Sequence, residues 1–317
     1  MRLLLVALAF VAGCSDDPGT PDGGDGSSDV AAGDSASDAG DSSSDAPFDA
    51  APVCTTSMTW KAGTALSIST SQADLFGAIT PDELTIAWMN AAGSGLYADR
   101  SKASDPFGAP QTLTAGVALG RVALSSDGLA LIVVLADRSA LAQTTRSARG
   151  AAFSTTLDKA PFASLDPLPT EIDAGSSPPH GSFADPMLSP DGQFLYYSQY
   201  GVSTLTMCES YRKSGDTSPW GQGRNLLESQ LAAPNTSGTR MIPSGMSSDD
   251  LTLFYWDGVA QTERVAFRDS ALTNNTYKQF VTLGAAYQYA APTGSCGRIY
   301  FSSPGSGGMD LLFADPP

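Results

Sequence analysis

The chain has 317 residues, of which 42% are hydrophobic, and its 33 acidic and 17 basic side chains give a formal net charge of −16. The basic residues form no Lys/Arg-rich cluster, which argues against binding to the phosphate backbone of nucleic acids. Without Arg2 and the ten Asp residues of segment 15–52, residues 53–317 carry a net charge of only −7.

The first residues of the chain predict an export signal. Arg2 precedes an apolar run at 3–11 that is too short to span a bilayer as a stable helix. The tetrad VAGC at 11–14 resembles the lipobox of bacterial lipoproteins, in which the matching cysteine is acylated and becomes the new amino terminus. This resemblance implies a signal peptide at 1–13, lipid attachment at Cys14 and a location in the cell envelope, with Ser15 favouring the outer membrane. The alternative is an ordinary secretory signal with a chance cysteine.

The next segment predicts a disordered tether. Residues 15–52 are almost wholly Asp, Gly, Ser, Ala and Pro, with ten Asp, one aromatic residue (Phe48) and no Lys, Arg or Glu. Such a composition cannot bury enough apolar surface to offset the entropy of ordering. Together with Cys14 it forms segment 14–52, which we expect to hold a globular domain away from the membrane. A calcium-binding role is disfavoured because the Asp spacing is irregular and offers no bidentate carboxylate pattern.

A repeated motif organises the remaining residues, 53–317. LSPDGQFLYYS at 188–198 recurs as ITPDELTIAWM (79–89), LSSDGLALIVV (124–134), MSSDDLTLFYW (246–256) and APTGSCGRIYFSS (291–303). Each copy predicts a tight turn, closed by a hydroxyl and an Asp side chain, and then a buried strand. The residues assigned to these turns are Asp82, Asp127, Gly128, Asp191, Gly192 and Asp249.

Each motif is followed by two more strand-like runs, and an aromatic residue precedes the outer one. Four strands per unit predict the blades of an all-β propeller with antiparallel sheets. Residues 158–186 are interpreted as an insertion, and the last unit lacks an outer strand. A strand within 57–70 is therefore expected to complete that unit and close a ring of five blades. Six blades are the alternative if 55–78 contributes more than one strand.

The units resemble the WD40-like PD40 repeats of TolB-like β-propellers. SPDGQFLYYS at 189–198 fits that pattern closely, and the resemblance covers about 79–317. It departs at Glu83 and Asp250, which replace the turn glycine, and in the last unit, where Gly294-Ser295 replaces Asp. The resemblance implies a protein partner in the envelope.

The cysteines of the globular part suggest a covalent closure. Cys54 lies just before the closing strand and Cys296 lies in the first turn of the last unit, at the same predicted end of the blade. We therefore predict a Cys54–Cys296 disulfide, which an exported chain permits. The alternative is that the three cysteines other than Cys14 are unpaired.

No familiar catalytic constellation is present in the sequence. His180 is the single histidine, and nucleophile-elbow, phosphate-loop, CxxC and HExxH motifs are lacking. The repeated Asp residues are spread around a ring, whereas catalytic carboxylates must lie within about 5–10 Å of each other. We predict no catalytic residue, no metal site and no cofactor.

Binding is the function that the pattern favours. Three aromatic residues near the loops between second and third strands are candidate binding residues, with packing between blades as the alternative: Tyr197, Tyr200 and Trp256. We expect a membrane-anchored lipoprotein whose propeller is a protein-binding or scaffold module and not an enzyme. The alternative is a surface glycan-binding or glycan-cleaving propeller, which a pocket with two close carboxylates would favour.

Overall fold

The computed structural model describes residues 54–113, 121–165, 182–200, 205–212, 218–221, 223–226, 240–268, 277, 279–294, 296–305 and 308–317. The predicted signal peptide at 1–13, the predicted acylation site at Cys14, the predicted tether and His180 lie outside the described residues. No helix in the described part is both long and apolar enough to cross a membrane.

The described residues form five antiparallel sheets, which are the five blades of a propeller. Blade 1 consists of β2 (Asp74–Ile79), β3 (Thr85–Asn90), β4 (Gly95–Asp99) and β5 (Gln111–Thr112). Blade 2 consists of β6 (Ala123–Leu124), β7 (Ala130–Val134) and β8 (Leu141–Thr145). Blade 3 consists of β9 (Phe183–Leu188), β10 (Phe194–Tyr200), β11 (Leu205–Tyr211) and β12 (Arg224–Asn225).

Blade 4 consists of β13 (Met241–Met246), β14 (Thr252–Asp257), β15 (Thr262–Phe267) and β16 (Gln279–Gly284). Blade 5 consists of β17 (Gln288–Pro292), β18 (Ile299–Gly305) and β19 (Gly308–Ala314), and β1 (Thr64–Ala65) from the other end of the chain is its outer strand. One short 3-10 helix, Ala160–Phe162, follows blade 2.

The N-terminal strand closes the ring, as the sequence predicts. Thr64 of β1 pairs with Phe313 of β19, and the Lys61 amide donates to the Asp315 carbonyl at 2.9 Å. Segment 55–78 supplies only this outer strand and most of β2, so the ring has five blades and not six.

Two boundaries differ from the sequence prediction. The proposed insertion at 158–186 runs too far, because β9 begins at Phe183 and pairs with β10 as the inner strand of blade 3. The outer edge of blade 2 is a single bridge, in which the backbones of Gln143 and Asp158 exchange two hydrogen bonds of 2.8 Å. The run after Phe153 is too polar and too interrupted to extend this bridge into a strand.

The hydrophobic core is divided among the five blade-to-blade interfaces. Each interface buries its own cluster, and the cluster between blades 5 and 1 joins Phe76, Trp88 and Tyr300. The aromatic residues that precede the outer strands are buried in these clusters, as expected: Phe107, Phe153, Trp220 and Tyr277.

The inner strands β2, β6, β9, β13 and β17 lie side by side around the propeller axis. In four of them, all except β6, the register against the second strand of the blade shifts near the middle. Such bulges twist the strand and free backbone groups from the ladder. At Gly77, the bulge of β2, a Cβ would lie 2.6 Å from Val122 and 2.8 Å from the Ala87 carbonyl oxygen, so the close approach requires glycine.

Candidate functional site: the motif face and the propeller axis

The five repeated turns lie at one end of the propeller, which we call the motif face. It comprises residues 80–85, 125–130, 189–194, 247–252 and 293–298. In blade 3 the Ser189 hydroxyl accepts from the Phe194 amide at 2.9 Å, and Asp191 accepts from the Gln193 amide at 2.9 Å. The equivalent hydroxyl accepts in the same way in the other four blades, on Thr80, Ser125, Ser247 and Thr293.

The four motif Asp residues are turn-closing groups. Asp82, Asp127 and Asp249 repeat the bond of Asp191, each accepting from the amide two residues ahead at 2.8–3.1 Å. The residue after each motif Asp has a left-handed φ: 73° at Gly128, 71° at Gly192, 62° at Glu83 and 55° at Asp250. The two non-glycine residues therefore adopt a backbone conformation that glycine would adopt without steric cost.

The structure brings Cys54 and Cys296 together in a disulfide with a Cα–Cα distance of 5.3 Å. Cys296 occupies the left-handed position of the fifth turn, with φ at 55°, so the bridge lies on the motif face. Since β1 is the outer strand of blade 5, the chain runs outward from Cys54 to Thr64. Cys54 itself therefore lies beside the motif turn of blade 5.

A funnel opens at the centre of the motif face. All five blades line it through the ends of their inner strands and the turns that follow, and its volume is about 50 Å³. None of the described lining residues has a titratable side chain; they are Gly77, Ala78, Ile79, Pro81, Ala123, Leu124, Ser126, Met187, Leu188, Ser189, Pro190, Ser244, Gly245, Met246, Ala291, Pro292 and Gly294. The funnel is therefore an uncharged depression with a mixed polar and apolar lining, surrounded by turns that carry carboxylates.

Arg121 fills the axis beneath the funnel. Its guanidinium donates to the carbonyls of Phe76 and Gly77 on blade 1 and of Pro243 and Ser244 on blade 4. Gly77 and Ser244 also line the funnel, so the guanidinium lies directly below its floor. The strand bulges supply these carbonyls, because a carbonyl freed from the ladder can accept from the axial side chain.

Two buried carboxyl groups accompany the buried guanidinium. The Arg121 amide donates to Asp185 of blade 3 at 3.0 Å, and Glu263 of blade 4 accepts from the Ser244 hydroxyl and, at 2.9 Å, from the Tyr289 amide. Burial lowers the pKa of Arg121 to about 10, and the two carboxyl groups oppose that shift. Burial raises the pKa of Glu263 to about 8 and also raises the pKa of Asp185. We call Arg121, Asp185 and Glu263 the axial cluster. Their hydrogen bonds reach all five blades.

The three aromatic binding candidates lie away from the motif face. Tyr197 is 1% exposed and packs between blades 2 and 3, and Trp256 is 4% exposed with its ring 5.8 Å from that of Tyr289. Both are packing residues, which is the alternative considered from the sequence. Tyr200 is half-buried beside Arg138, whose guanidinium carbon lies 5.4 Å from the ring centre.

One aromatic residue of the motif face was missed by the sequence analysis. Tyr211 ends β11 beside the turn of blade 3 and is 44% exposed, which makes it one of the most exposed large hydrophobic residues of the described chain. Its hydroxyl contacts Gln193 at 3.3 Å. Its position at the end of a third strand, next to the motif turn, is the signal that could have identified it.

A second missed feature is a ladder of arginines at the ends of the third strands. Arg146 is representative: its Nε donates to the Gly128 carbonyl at 2.8 Å, and its guanidinium lies 4.6 Å from the Phe153 ring centre. Three equivalent arginines stack on the aromatic residues before their outer strands, in the pairs Arg100–Phe107, Arg212–Trp220 and Arg268–Tyr277. The signal in the sequence was an Arg seven to nine residues before each of these aromatics.

No group of three or more metal-ligating residues that could hold an ion occurs within the described part of the chain. No protein-family model and no curated protein matches the sequence.

Several solved structures share the general chain trace. The chain is similar to TolB from Acinetobacter baumannii, at 12% identity and a TM-score of 0.43, with 78% of this chain covered. It spans 55% of the length of that TolB chain. A nidogen/laminin complex matches at 12% identity and a TM-score of 0.43, covering 74% of this chain and 73% of the other. Oligogalacturonate lyase from Vibrio parahaemolyticus matches at 14% identity and a TM-score of 0.36, covering 77% and 78%. Similarities at this level of identity and TM-score do not establish a function for this chain.

Proposed function

We propose that this chain is a cell-envelope lipoprotein, anchored through Cys14, whose propeller binds a protein partner on its motif face. The funnel carries this proposal, because it is an uncharged depression to which all five blades contribute. Pockets of this kind receive single anchor side chains of a partner, while the surrounding polar groups set orientation.

The surface around the funnel provides the polar part of such an interface. Asp127 lies in an exposed turn, Arg149 pairs with Asp82 at 2.6 Å, and Tyr211 presents an exposed ring. Interfaces favour Tyr and Arg, and a rim of charged pairs contributes more to orientation and association rate than to affinity.

The glycan alternative requires two carboxyl groups facing a substrate. The carboxyl groups nearest the axis, Asp185 and Glu263, are 8% and 0% exposed and are bonded to the Arg121 amide, the Ser244 hydroxyl and the Tyr289 amide. They stabilise the axis and do not line the funnel. This arrangement favours a protein-binding module over a glycan-cleaving enzyme.

Site-specific photocross-linking tests the binding proposal. A benzophenone amino acid replaces Ser126, an exposed residue of the funnel rim, in the full-length chain, and irradiation is done in intact envelopes. The matched control carries it at Val259, which is 53% exposed on the opposite face. We expect one protein adduct from position 126 and none from position 259. Equal adducts at both positions, or an adduct with polysaccharide alone, would contradict the proposal.

Acylation is tested separately. Cells expressing the full-length chain are given radiolabelled palmitate, and we expect label in the wild-type and Ser15→Ala chains but none in Cys14→Ser. Label retained in Cys14→Ser would refute the anchor while leaving the binding site untouched.

A further inference from the structure

We propose that residues 46–53, the end of the chain's own tether, dock in the funnel of the same molecule. This inference deepens the proposed function, because the docked segment would occupy the site that a partner needs. Three properties of the molecule support it: where the tether meets the propeller, how far it reaches, and how its composition matches the funnel.

The tether meets the propeller next to the funnel. Cys54 is bonded to Cys296 with a Cα–Cα distance of 5.3 Å, and Cys296 is two residues from Gly294, which lines the funnel. Because the chain runs outward from Cys54 to the outer strand, the residues before Cys54 start from the inner part of the motif face. Extended residues span at most about 3.3–3.6 Å each, so the eight residues 46–53 reach roughly 27 Å. Cys54 is bonded to Cys296, and Cys296 is two residues along the chain from the funnel residue Gly294. Eight extended residues are therefore long enough to reach the funnel.

The composition of the tether changes at this end. The eight residues APFDAAPV at 46–53 contain one Asp, while the 31 residues before them contain nine. Phe48, the single aromatic residue of the tether, and two prolines fall within the eight. The segment with the fewest charges in the tether is therefore the one that directly precedes Cys54 in the sequence.

The charge of the motif face selects this segment over the rest of the tether. Asp127, Asp191 and Asp249 stand in the turns around the funnel, so they repel the Asp-rich residues 15–45. The funnel volume of about 50 Å³ corresponds to roughly three or four water molecules, which is enough for a proline ring or a small apolar side chain. Because the repulsion is screened by salt, docking should become more complete as ionic strength rises.

A second depression near Cys54 provides the competing location. It lies between blade 4 and residues 54–60, and its lining includes Cys54 itself, Met58, Trp60, Phe267 and Leu283. The experiment must therefore separate the funnel from this groove, and methionines report on both. Met187 and Met246 line the funnel, whereas Met58 lines the groove.

The test is methyl NMR of the full-length chain in detergent, labelled with ¹³C-methyl methionine and assigned by single Met→Leu variants. The test variant carries Pro47→Ser, Phe48→Ser and Pro52→Ser. The matched control carries Val30→Ser, Ala31→Ser and Ala32→Ser, three changes from an apolar residue to Ser in the middle of the tether. Met89, which is fully buried in the cluster between blades 1 and 2, reports whether the propeller is intact.

We expect the Met187 and Met246 resonances to shift in the test variant and to stay in place in the control. An excess of the peptide APFDAAPV added to the test variant should return them toward their wild-type positions. Unchanged funnel resonances, or a shift confined to Met58, would overturn the proposal. Because this measurement needs no partner, its failure is independent of the cross-linking result that tests the proposed function.

Discussion

The guanidinium of Arg121 donates to the Ser244 carbonyl at 2.7 Å, across the axis from blade 2 to blade 4. Its other bonds reach blade 1, and its amide reaches Asp185 of blade 3. Arg121, through its side chain and its amide, thus connects four blades at the centre of a ring whose hydrophobic clusters lie only between neighbours. This connection holds the funnel floor in place, because the carbonyls of two lining residues, Gly77 and Ser244, accept hydrogen bonds from Arg121.

Replacement of Arg121 by Met should therefore destabilise the propeller strongly. The substitution leaves the four backbone carbonyls that Arg121 bonds without their donor, and each buried acceptor left unsatisfied costs about 1–3 kcal/mol. Urea unfolding of the full-length chain, followed by tryptophan fluorescence, measures the loss. Lys61→Met, at an exposed residue, is the control and should change stability by less than about 0.5 kcal/mol. Equal stability of the two variants would show that the axial cluster contributes nothing net.

The sequence predicts the architecture well because the motif that specifies a blade occurs five times. Five copies of a turn and a strand specify the blade, and the spacing of the copies specifies the ring. The axial cluster is different, since it is built from one residue of each kind. The positions four residues before the motif hydroxyls hold Phe76, Arg121, Asp185, Pro243 and Tyr289.

These five residues have no property in common, so a repeat analysis treats them as variation. Their relationship depends on the bulges, which turn backbone carbonyls toward the axis, and bulges are set by pairing across the sheet. The burial of Tyr197 and Trp256 matches the alternative that the sequence offered for them, which was packing between blades. Alternation along a strand assigns a side chain to one face of a blade, but in a propeller both faces of a blade are covered by neighbours.

Asp250 should make stability fall as the pH rises. Burial, followed by the neighbouring carboxyl of Asp191, raises its pKa from 3.8 to about 8, while Arg268 opposes the shift and Asp249 adds to it. The folded protein therefore holds a proton that the unfolded chain releases between about pH 4 and pH 8, and stability declines through this window. Glu263, whose pKa is raised to about 8, contributes in the same direction.

Asp250→Asn removes one of these two titrations and retains a residue that tolerates a left-handed φ. We expect the variant to be about 1–3 kcal/mol more stable than the wild type at pH 8 and to show a weaker decline between pH 5 and pH 8. Chemical unfolding at a series of pH values provides the measurement. A variant whose pH profile parallels that of the wild type would show that Asp250 does not titrate in this range.

The arginine ladder predicts that lysine cannot replace Arg146. Lysine keeps the charge beside Asp99 but cannot donate through Nε to Gly128 while stacking on Phe153. Arg146→Lys should lower the free energy of unfolding by about 1–3 kcal/mol. Arg149→Lys is the matched control, because Arg149 also pairs with a carboxylate, Asp82, but is 26% exposed and its ion pair is worth less than about 1 kcal/mol. Similar losses in the two variants would argue that the stacking and the Nε bond are unimportant.

The Cys54–Cys296 disulfide should stabilise the closed ring mainly through the unfolded state. It joins residues 242 positions apart, and closing so long a loop removes chain entropy worth up to about 5 kcal/mol, although measured gains are often smaller. Cys54→Ser with Cys296→Ser should therefore unfold at a lower urea concentration, with an unchanged far-UV circular dichroism spectrum before the transition, because β1 still pairs with β19. Reductant should lower the unfolding midpoint of the wild-type chain toward that of the double variant. If the double variant unfolded at the wild-type midpoint, β-strand pairing alone would account for closure, and the bridge would serve only to hold the end of the tether beside the funnel.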